Sequence, residues 1–131
     1  MTADIAPAEL QPLVERFAKS FAAFVKEAED AVSDAARDPE LAATPAYQAW
    51  RGKVLPLLQQ ENASLNSALA QFQTGDVRPV LVAAEDKRGL AKDMDGFPLT
   101  LAGADHAQVL GDLRTAVVRS ASRLCAAAGI P

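Results

Sequence analysis

Apolar residues recur three and four positions apart along most of the chain, the spacing of one face of an α-helix. The first such stretch runs from about Pro12 to Arg37, and Pro12 suits the first helical position. Residues 7–10 are interpreted as a separate lead-in turn, and Asp38-Pro39 ends the helix. The apolar stripe consists of Leu13, Phe17, Phe21, Phe24, Ala28, Ala31, Val32 and Ala35.

A second helix is predicted after a linker over residues 40–43. Thr44 is the predicted N-cap, Pro45 the first helical residue, and Gly75 the residue that stops the helix in a left-handed conformation. The apolar stripe consists of Tyr47, Trp50, Val54, Leu57, Leu58, Leu65, Leu69 and Phe72. This segment is the longest helical pattern in the chain.

Pro56 lies well inside the second predicted helix. Its ring removes one backbone hydrogen bond and crowds the carbonyl of the residue four positions earlier. That residue is Gly52, which tolerates a distorted backbone better than other residues. The sequence therefore predicts a structural kink at Gly52 and Pro56, close to Trp50.

The third segment, residues 76–95, has two interpretations. Asp76 is a suitable helix cap with Pro79 in the first turn, and residues 83–92 contain good helix formers. Alternatively, residues 79–82 form a buried strand that pairs with residues 97–101 as a hairpin. The helix is the preferred interpretation, and the hairpin stays open.

The fourth segment begins at a capping-box spacing between Asp105 and Gln108 and is expected to stop at Gly129. Its stripe consists of Val109, Leu110, Leu113, Ala116, Val117, Ala121, Leu124 and Ala128. Four amphipathic helices with short connections favour an all-α fold, an antiparallel four-helix bundle in up-down-up-down order. The whole chain, residues 1–131, is expected to form one domain.

Composition limits the classes of function. The 131 residues are 50% hydrophobic and 23% charged, with a net charge of −4, which argues against a general nucleic-acid binder. No apolar run has the length of a membrane span, and the N-terminus lacks a signal-peptide pattern, so we expect a cytoplasmic protein. Abundant Ala and Arg beside two Ile and two Asn indicate a GC-rich bacterial genome.

Residue patterns for catalysis are missing from the sequence. There is no phosphate-binding glycine loop, no G-x-S-x-G and no H-E-x-x-H. One histidine and one cysteine are too few for a zinc site built on those ligands. A carboxylate-only magnesium site at Asp86, Asp93 and Asp95 stays open, with surface acids as the preferred interpretation of these residues. The lone Cys125 is interpreted as a small buried hydrophobe. We therefore expect a protein that is not an enzyme and has no cofactor and no metal.

Glu61 interrupts the apolar stripe of the second helix, four residues from both Leu57 and Leu65. A carboxylate that faces a helix seam needs a partner, because burying an unpaired charge is costly. The expected partners are arginines of other segments, namely Arg88, Arg114 and Arg119. Glu61 is thus a candidate for a salt bridge or a partner contact.

His106 is the only imidazole of the chain and lies at a predicted helix start. The chain resembles histidine phosphotransfer domains in size and helical class. That resemblance implies His106 as phosphoryl acceptor. Those domains place a Lys-Gly pair just after the histidine, whereas Ala107 and Gln108 follow here.

Trp50-Arg51-Gly52 resembles the signature of small secreted WXG-type helical hairpins. In that family the motif lies in the turn between two long helices. Here Thr44 and Pro45 already start a helix before it, which favours Trp50 as a core residue.

Three hypotheses of function follow. The first is a helical bundle that acts through protein–protein contacts, most simply as a homodimer, with residues 21–25 widening the first stripe toward an outside neighbour. The second is a ligand or phosphotransfer module built on Trp50 and His106. The third is a secreted W-x-G-type partner. The candidate contact residues are Trp50, Glu61, His106 and Tyr47.

Overall fold

A computed structural model describes residues 7–93 and 104–130, and this part of the chain is helical with no strand. The all-α class is therefore confirmed for it. The elements are α1 (Pro7–Ala36), α2 (Pro39–Ala42), α3 (Pro45–Ala49), a π-helical turn (Trp50–Val54), α4 (Leu55–Gln73), α5 (Arg78–Asp93) and α6 (Ala104–Ala127).

Helix α1 begins at Pro7, so the prediction of a separate lead-in turn is wrong. Pro12 lies inside the helix and costs it only one backbone hydrogen bond close to its start. The earlier start brings Leu10 and Val14 into the core, each with 2% of its surface exposed. Burial of these two side chains offsets the lost hydrogen bond.

The predicted linker over residues 40–43 is mostly the short helix α2, which corrects the sequence interpretation. The Asp38 carboxylate caps it by accepting a hydrogen bond from the Glu40 amide at 3.0 Å. The predicted cap of the next helix is confirmed, because the Thr44 hydroxyl accepts from the Tyr47 amide at 3.2 Å.

The π-helical turn joins α3 directly to α4. At its end the Leu55 amide donates to the Trp50 carbonyl, five residues earlier instead of four. Pro56 follows immediately and has no amide proton to donate to Gly52. The backbone hydrogen-bond register thus changes just before Pro56. A bend of the helix axis at Gly52 and Pro56 stays a prediction.

Two helix ends are stopped by glycines with positive φ. Gly75 has φ +100° and Gly129 has φ +78°, which confirms both predicted stops. At the first, the Asp76 amide donates to the Gln71 carbonyl at 3.0 Å. At the second, the Ile130 amide donates to the Cys125 carbonyl at 2.8 Å. Both are Schellman endings.

Residues 79–82 belong to α5, which makes the hairpin interpretation wrong for this half of the pair. Asp76 lies just before the helix, and its carboxylate accepts from the Arg78 amide at 3.3 Å. The other half, residues 97–101, lies outside the described residues, as do Met94 and Asp95. Helix α6 starts at Ala104, so Asp105 is helical rather than the residue before the helix.

The four longest helices pack around one core. Helix α1 contacts α4 and α6, and α5 contacts the same two helices. The largest buried apolar side chains are Trp50, Phe17, Phe21, Phe24, Leu10, Leu58, Leu65, Leu110 and Leu124. Phe21, Phe24 and Val25 are buried by the chain's own helices, whereas Ala22 and Ala23 of the same segment are exposed. Among the described residues, no helix has the length and apolar character of a membrane span.

Candidate functional site

Glu61 meets a lysine of α5. The Lys87 ammonium lies 2.6 Å from the Glu61 carboxylate and 3.1 Å from the Asp86 carboxylate. Only 1% of the Lys87 surface is exposed, which is rare for lysine. The pair joins α4 to α5 and compensates a charge that would otherwise be buried alone.

The sequence prediction of an arginine partner for Glu61 is therefore corrected. The signal was present, because Lys87 lies three residues after Ala84 and four before Ala91, on the buried face of α5. Charged residues of a helix normally face solvent, so Lys87 was not considered as a buried partner of Glu61. Lys87 lies at a position of the apolar stripe of α5, and Glu61 lies at a position of the apolar stripe of the second helix. Two opposite charges at such positions indicate an ion pair between the two helices.

The three predicted arginines have other described surroundings. Arg114 donates from Nη1 to the Ala91 carbonyl at 3.2 Å and so ties α6 to α5. Arg88 lies close enough to Cys125 to favour the charged form of its thiol. Arg119 is exposed on α6.

His106 joins α6 to α1 through two carboxylates. Its Nδ1 lies 2.5 Å from the Glu27 Oε2, and its Nε2 lies 2.7 Å from the Asp34 Oδ2. The hydrogen bonds with Asp34 and then Glu27 raise the pKa of His106 above its ordinary value, against the opposing effect of burial. When it is protonated, the imidazole donates to both carboxylates at once.

This arrangement determines what His106 is able to do. Both ring nitrogens are engaged, and a phosphoryl acceptor needs one nitrogen that reaches the donor. The histidine side chain is 19% exposed, and that of Glu27 is 20% exposed. His106 is thus suited to hold α1 and α6 together in a proton-dependent way.

Trp50 and Tyr47 lie in the core, with 0% and 6% of their surfaces exposed. Neither offers a surface to a partner in this conformation. The W-x-G residues occupy the π-helical turn, so they lie within a run of helix and not in a turn between two antiparallel helices. Gly52 is exposed, and a Cβ at this position would meet nothing within 4 Å.

The outer face of α5 carries the most exposed large hydrophobic residue of the described chain, Val82, at 69%. A groove of about 700 Å³ between α4 and α5 lies on one side of it. A depression of about 550 Å³ around Gly89 lies on the other. Four carboxylates line that depression, and we call it the acidic depression: Glu61, Glu85, Asp86 and Asp93.

A groove of opposite charge lies between α5 and α6. Its volume is about 400 Å³, and its charged lining residues are Lys92, Arg114 and Arg119. Thr115 and Val118 complete the lining, so no described carboxylate belongs to it. We call this surface the basic groove. The sequence did not reveal either surface, because each combines residues of two helices.

Cys125 is fully buried, and burial raises the pKa of its thiol, which confirms its interpretation as a core residue. Within residues 7–93 and 104–130, no three His, Cys, Asp or Glu residues are grouped to hold a metal ion.

No protein-family model matches the chain, and no curated protein or solved structure matches it either. The proposal of a function therefore rests on the fold and the surfaces of this chain.

Proposed function

We propose that the chain is a non-enzymatic helical-bundle protein that acts through protein–protein contacts, most simply by associating with itself. The observation that supports this best is Val82, which exposes 69% of its surface between two depressions on the outer face of α5. Val82 and the half-buried Pro79 and Leu90 of the adjoining depressions give this face an apolar part with a polar rim, and contiguous apolar surface of this kind is typical of contact surfaces.

The proposed architecture is an antiparallel four-helix bundle of α1, the α3–α4 run, α5 and α6. The contacts of α1 and α5 with both α4 and α6 support this arrangement. A bend at Gly52 and Pro56 belongs to the proposal and is supported by the π-helical turn at residues 50–54.

The charged clusters support a structural role more than a catalytic one. Lys87 and His106 are each neutralised by carboxylates, and in each cluster at least one carboxylate comes from a neighbouring helix. Such pairs fix how helices pack. The competing proposal, a phosphotransfer or ligand module around Trp50 and His106, requires His106 to release one of its two carboxylates.

The test is the mass of the purified chain in solution. Sedimentation equilibrium at micromolar concentration is expected to give twice the 13.8 kDa chain mass. Val82→Ser is expected to weaken the dimer, whereas Val109→Ser, at a valine 40% exposed on α6, is the matched control and leaves it unchanged. A monomer at all concentrations up to the millimolar range contradicts the proposal.

The proposed location is the cytoplasm. Fractionation of the source cells tests it, and recovery of the chain from the culture medium would favour a secreted W-x-G-type partner instead.

A further inference from the structure

We propose that the outer face of α5 is the surface of self-association, and that each copy seats its basic groove on the acidic depression of the other. This inference rests on the proposed function and adds where the two copies meet, which charges oppose each other and what symmetry results.

The outer face of α5 is a helix face that the described chain leaves uncovered. Val82 and Gly89 lie seven residues apart, two helical turns, on the side opposite the buried Val80 and Lys87. A Cβ at Gly89 would meet nothing within 4 Å, so the chain itself has no need of the space above this glycine. A glycine inside an exposed helix weakens that helix relative to alanine. At Gly89 the missing side chain allows a second copy to approach the helix backbone closely.

Charge complementarity identifies the occupant as a second copy. The acidic depression carries four carboxylates, of which the buried Lys87 ammonium balances one. The basic groove carries three cations and no described carboxylate. Two chains of net charge −4 repel each other at random orientation, so association needs an orientation in which these two surfaces meet.

The two surfaces lie side by side along α5. Lys92 of the basic groove and Asp93 of the acidic depression are consecutive residues. Arg114 bonds to the Ala91 carbonyl, which places the basic groove level with the part of α5 that carries Gly89 and Asp93. A two-fold axis parallel to α5 exchanges left and right but keeps height, so it forms both acid–base contacts at once. Association then closes at a dimer.

A partner segment with charge of one sign would match only one of the two surfaces. A basic helix suits the acidic depression, and an acidic segment suits the basic groove. A second copy matches both surfaces, because it carries a basic groove for the acidic depression and an acidic depression for the basic groove.

The experiment is a charge reversal with rescue. Asp93→Arg reverses one charge of the acidic depression, and Lys92→Glu reverses the charge of the basic groove that lies at the same height along α5. Each variant alone faces two like-charge contacts in its homodimer and is expected to raise the dimer dissociation constant about 10-fold or more. An equimolar mixture restores two opposite-charge contacts and is expected to form a heterodimer with close to wild-type affinity.

Sedimentation velocity with one variant carrying a mass tag distinguishes heterodimer from homodimer. The matched controls are Glu40→Arg and Arg16→Glu, exposed residues outside both surfaces that change the net charge equally. Circular dichroism melting verifies that each variant is folded. A second pair, Glu85→Arg and Arg119→Glu, repeats the test about two helical turns further along α5, where these two residues lie at similar height.

The outcomes separate the two proposals. A monomeric wild type overturns self-association and this surface with it. A dimeric wild type whose four variants dimerise equally well overturns this surface alone. Dissociation of the single variants without rescue in the mixture overturns the acid–base pairing. Dissociation, rescue and a wild-type dimer that weakens with added salt support it.

Discussion

The Lys87 ammonium lies 2.6 Å from the Glu61 carboxylate, and the lysine is the almost fully buried member of the pair. Losing the partner is more costly for the charge of Lys87 than for that of Glu61. Glu61 retains 24% exposure of its side chain and is able to turn toward water, whereas the side chain of Lys87 has 2%.

Glu61→Gln and Glu61→Leu are both expected to destabilise the fold by about 1–3 kcal/mol, because each leaves the buried ammonium with Asp86 as its carboxylate partner. The double variant Glu61→Leu with Lys87→Met removes both charges and is expected to regain most of that loss. Urea unfolding of the wild type, both single variants and the double variant gives the coupling between the two positions.

The exposed Glu15→Gln serves as a control for loss of a carboxylate and is expected to change stability little. Equal unfolding curves for the wild type and Glu61→Gln would show that the ion pair has no net role.

Stability is expected to depend on pH through His106. Its folded-state pKa is raised above the ordinary 6.5 by Asp34 and Glu27. A group of this kind contributes stability that is fully present below its unfolded-state pKa and is lost as the pH rises through its folded-state pKa. The unfolding free energy of wild type minus that of His106→Gln should therefore decrease from about pH 6.5 upward.

Denaturant unfolding at intervals between about pH 6 and pH 9 measures this difference. NMR titration of the imidazole gives the folded-state pKa directly. A difference that stays constant or grows toward alkaline pH contradicts the double hydrogen bond of His106 to α1.

Phosphorylation of His106 is expected to be negligible. Both ring nitrogens face carboxylates, and a phosphoryl group on either would meet negative charge at the distance of a hydrogen bond. Incubation with phosphoramidate, followed by phosphorus NMR, is expected to show no phosphohistidine signal. A strong signal that disappears in His106→Gln would favour the phosphotransfer module instead.

Replacing Pro56 by alanine is expected to shift the surroundings of Trp50. The substitution restores an amide proton that is able to bond to the Gly52 carbonyl, and this competes with the π-type bond from Leu55 to Trp50. The chain has one tryptophan, so its fluorescence emission reports the change without interference. Pro79→Ala, in the first turn of α5, is the control and should leave the emission unchanged. Unchanged emission in Pro56→Ala would show that core packing alone sets the π-helical turn.

Features set by local chemistry were predictable from the sequence. Thr44, Gly75 and Gly129 act as predicted because a cap or a left-handed stop depends on residues close in the chain. The start of α1 was not predictable in this way, because tertiary burial of Leu10 outweighs the local preference for Pro12 at a helix start.

The candidate surfaces lay beyond local reasoning. Spacing identified Glu61 as a charged residue at a position of the apolar stripe, but its partner depended on which helices become neighbours. The same is true of the basic groove, where Lys92 and Arg119 meet only because α5 packs on α6. Sequence patterns predict which face of each helix is apolar, whereas the tertiary packing determines which helix faces become neighbours.

Cys125 makes the chain suitable for labelling studies in its native form. It is the only thiol, it has no exposed surface, and burial raises its pKa. Alkylating reagents therefore reach it only when α6 separates from its neighbours, and the labelling rate measures the free energy of that opening. The wild-type protein thus carries an intrinsic probe of how often its C-terminal helix leaves the core.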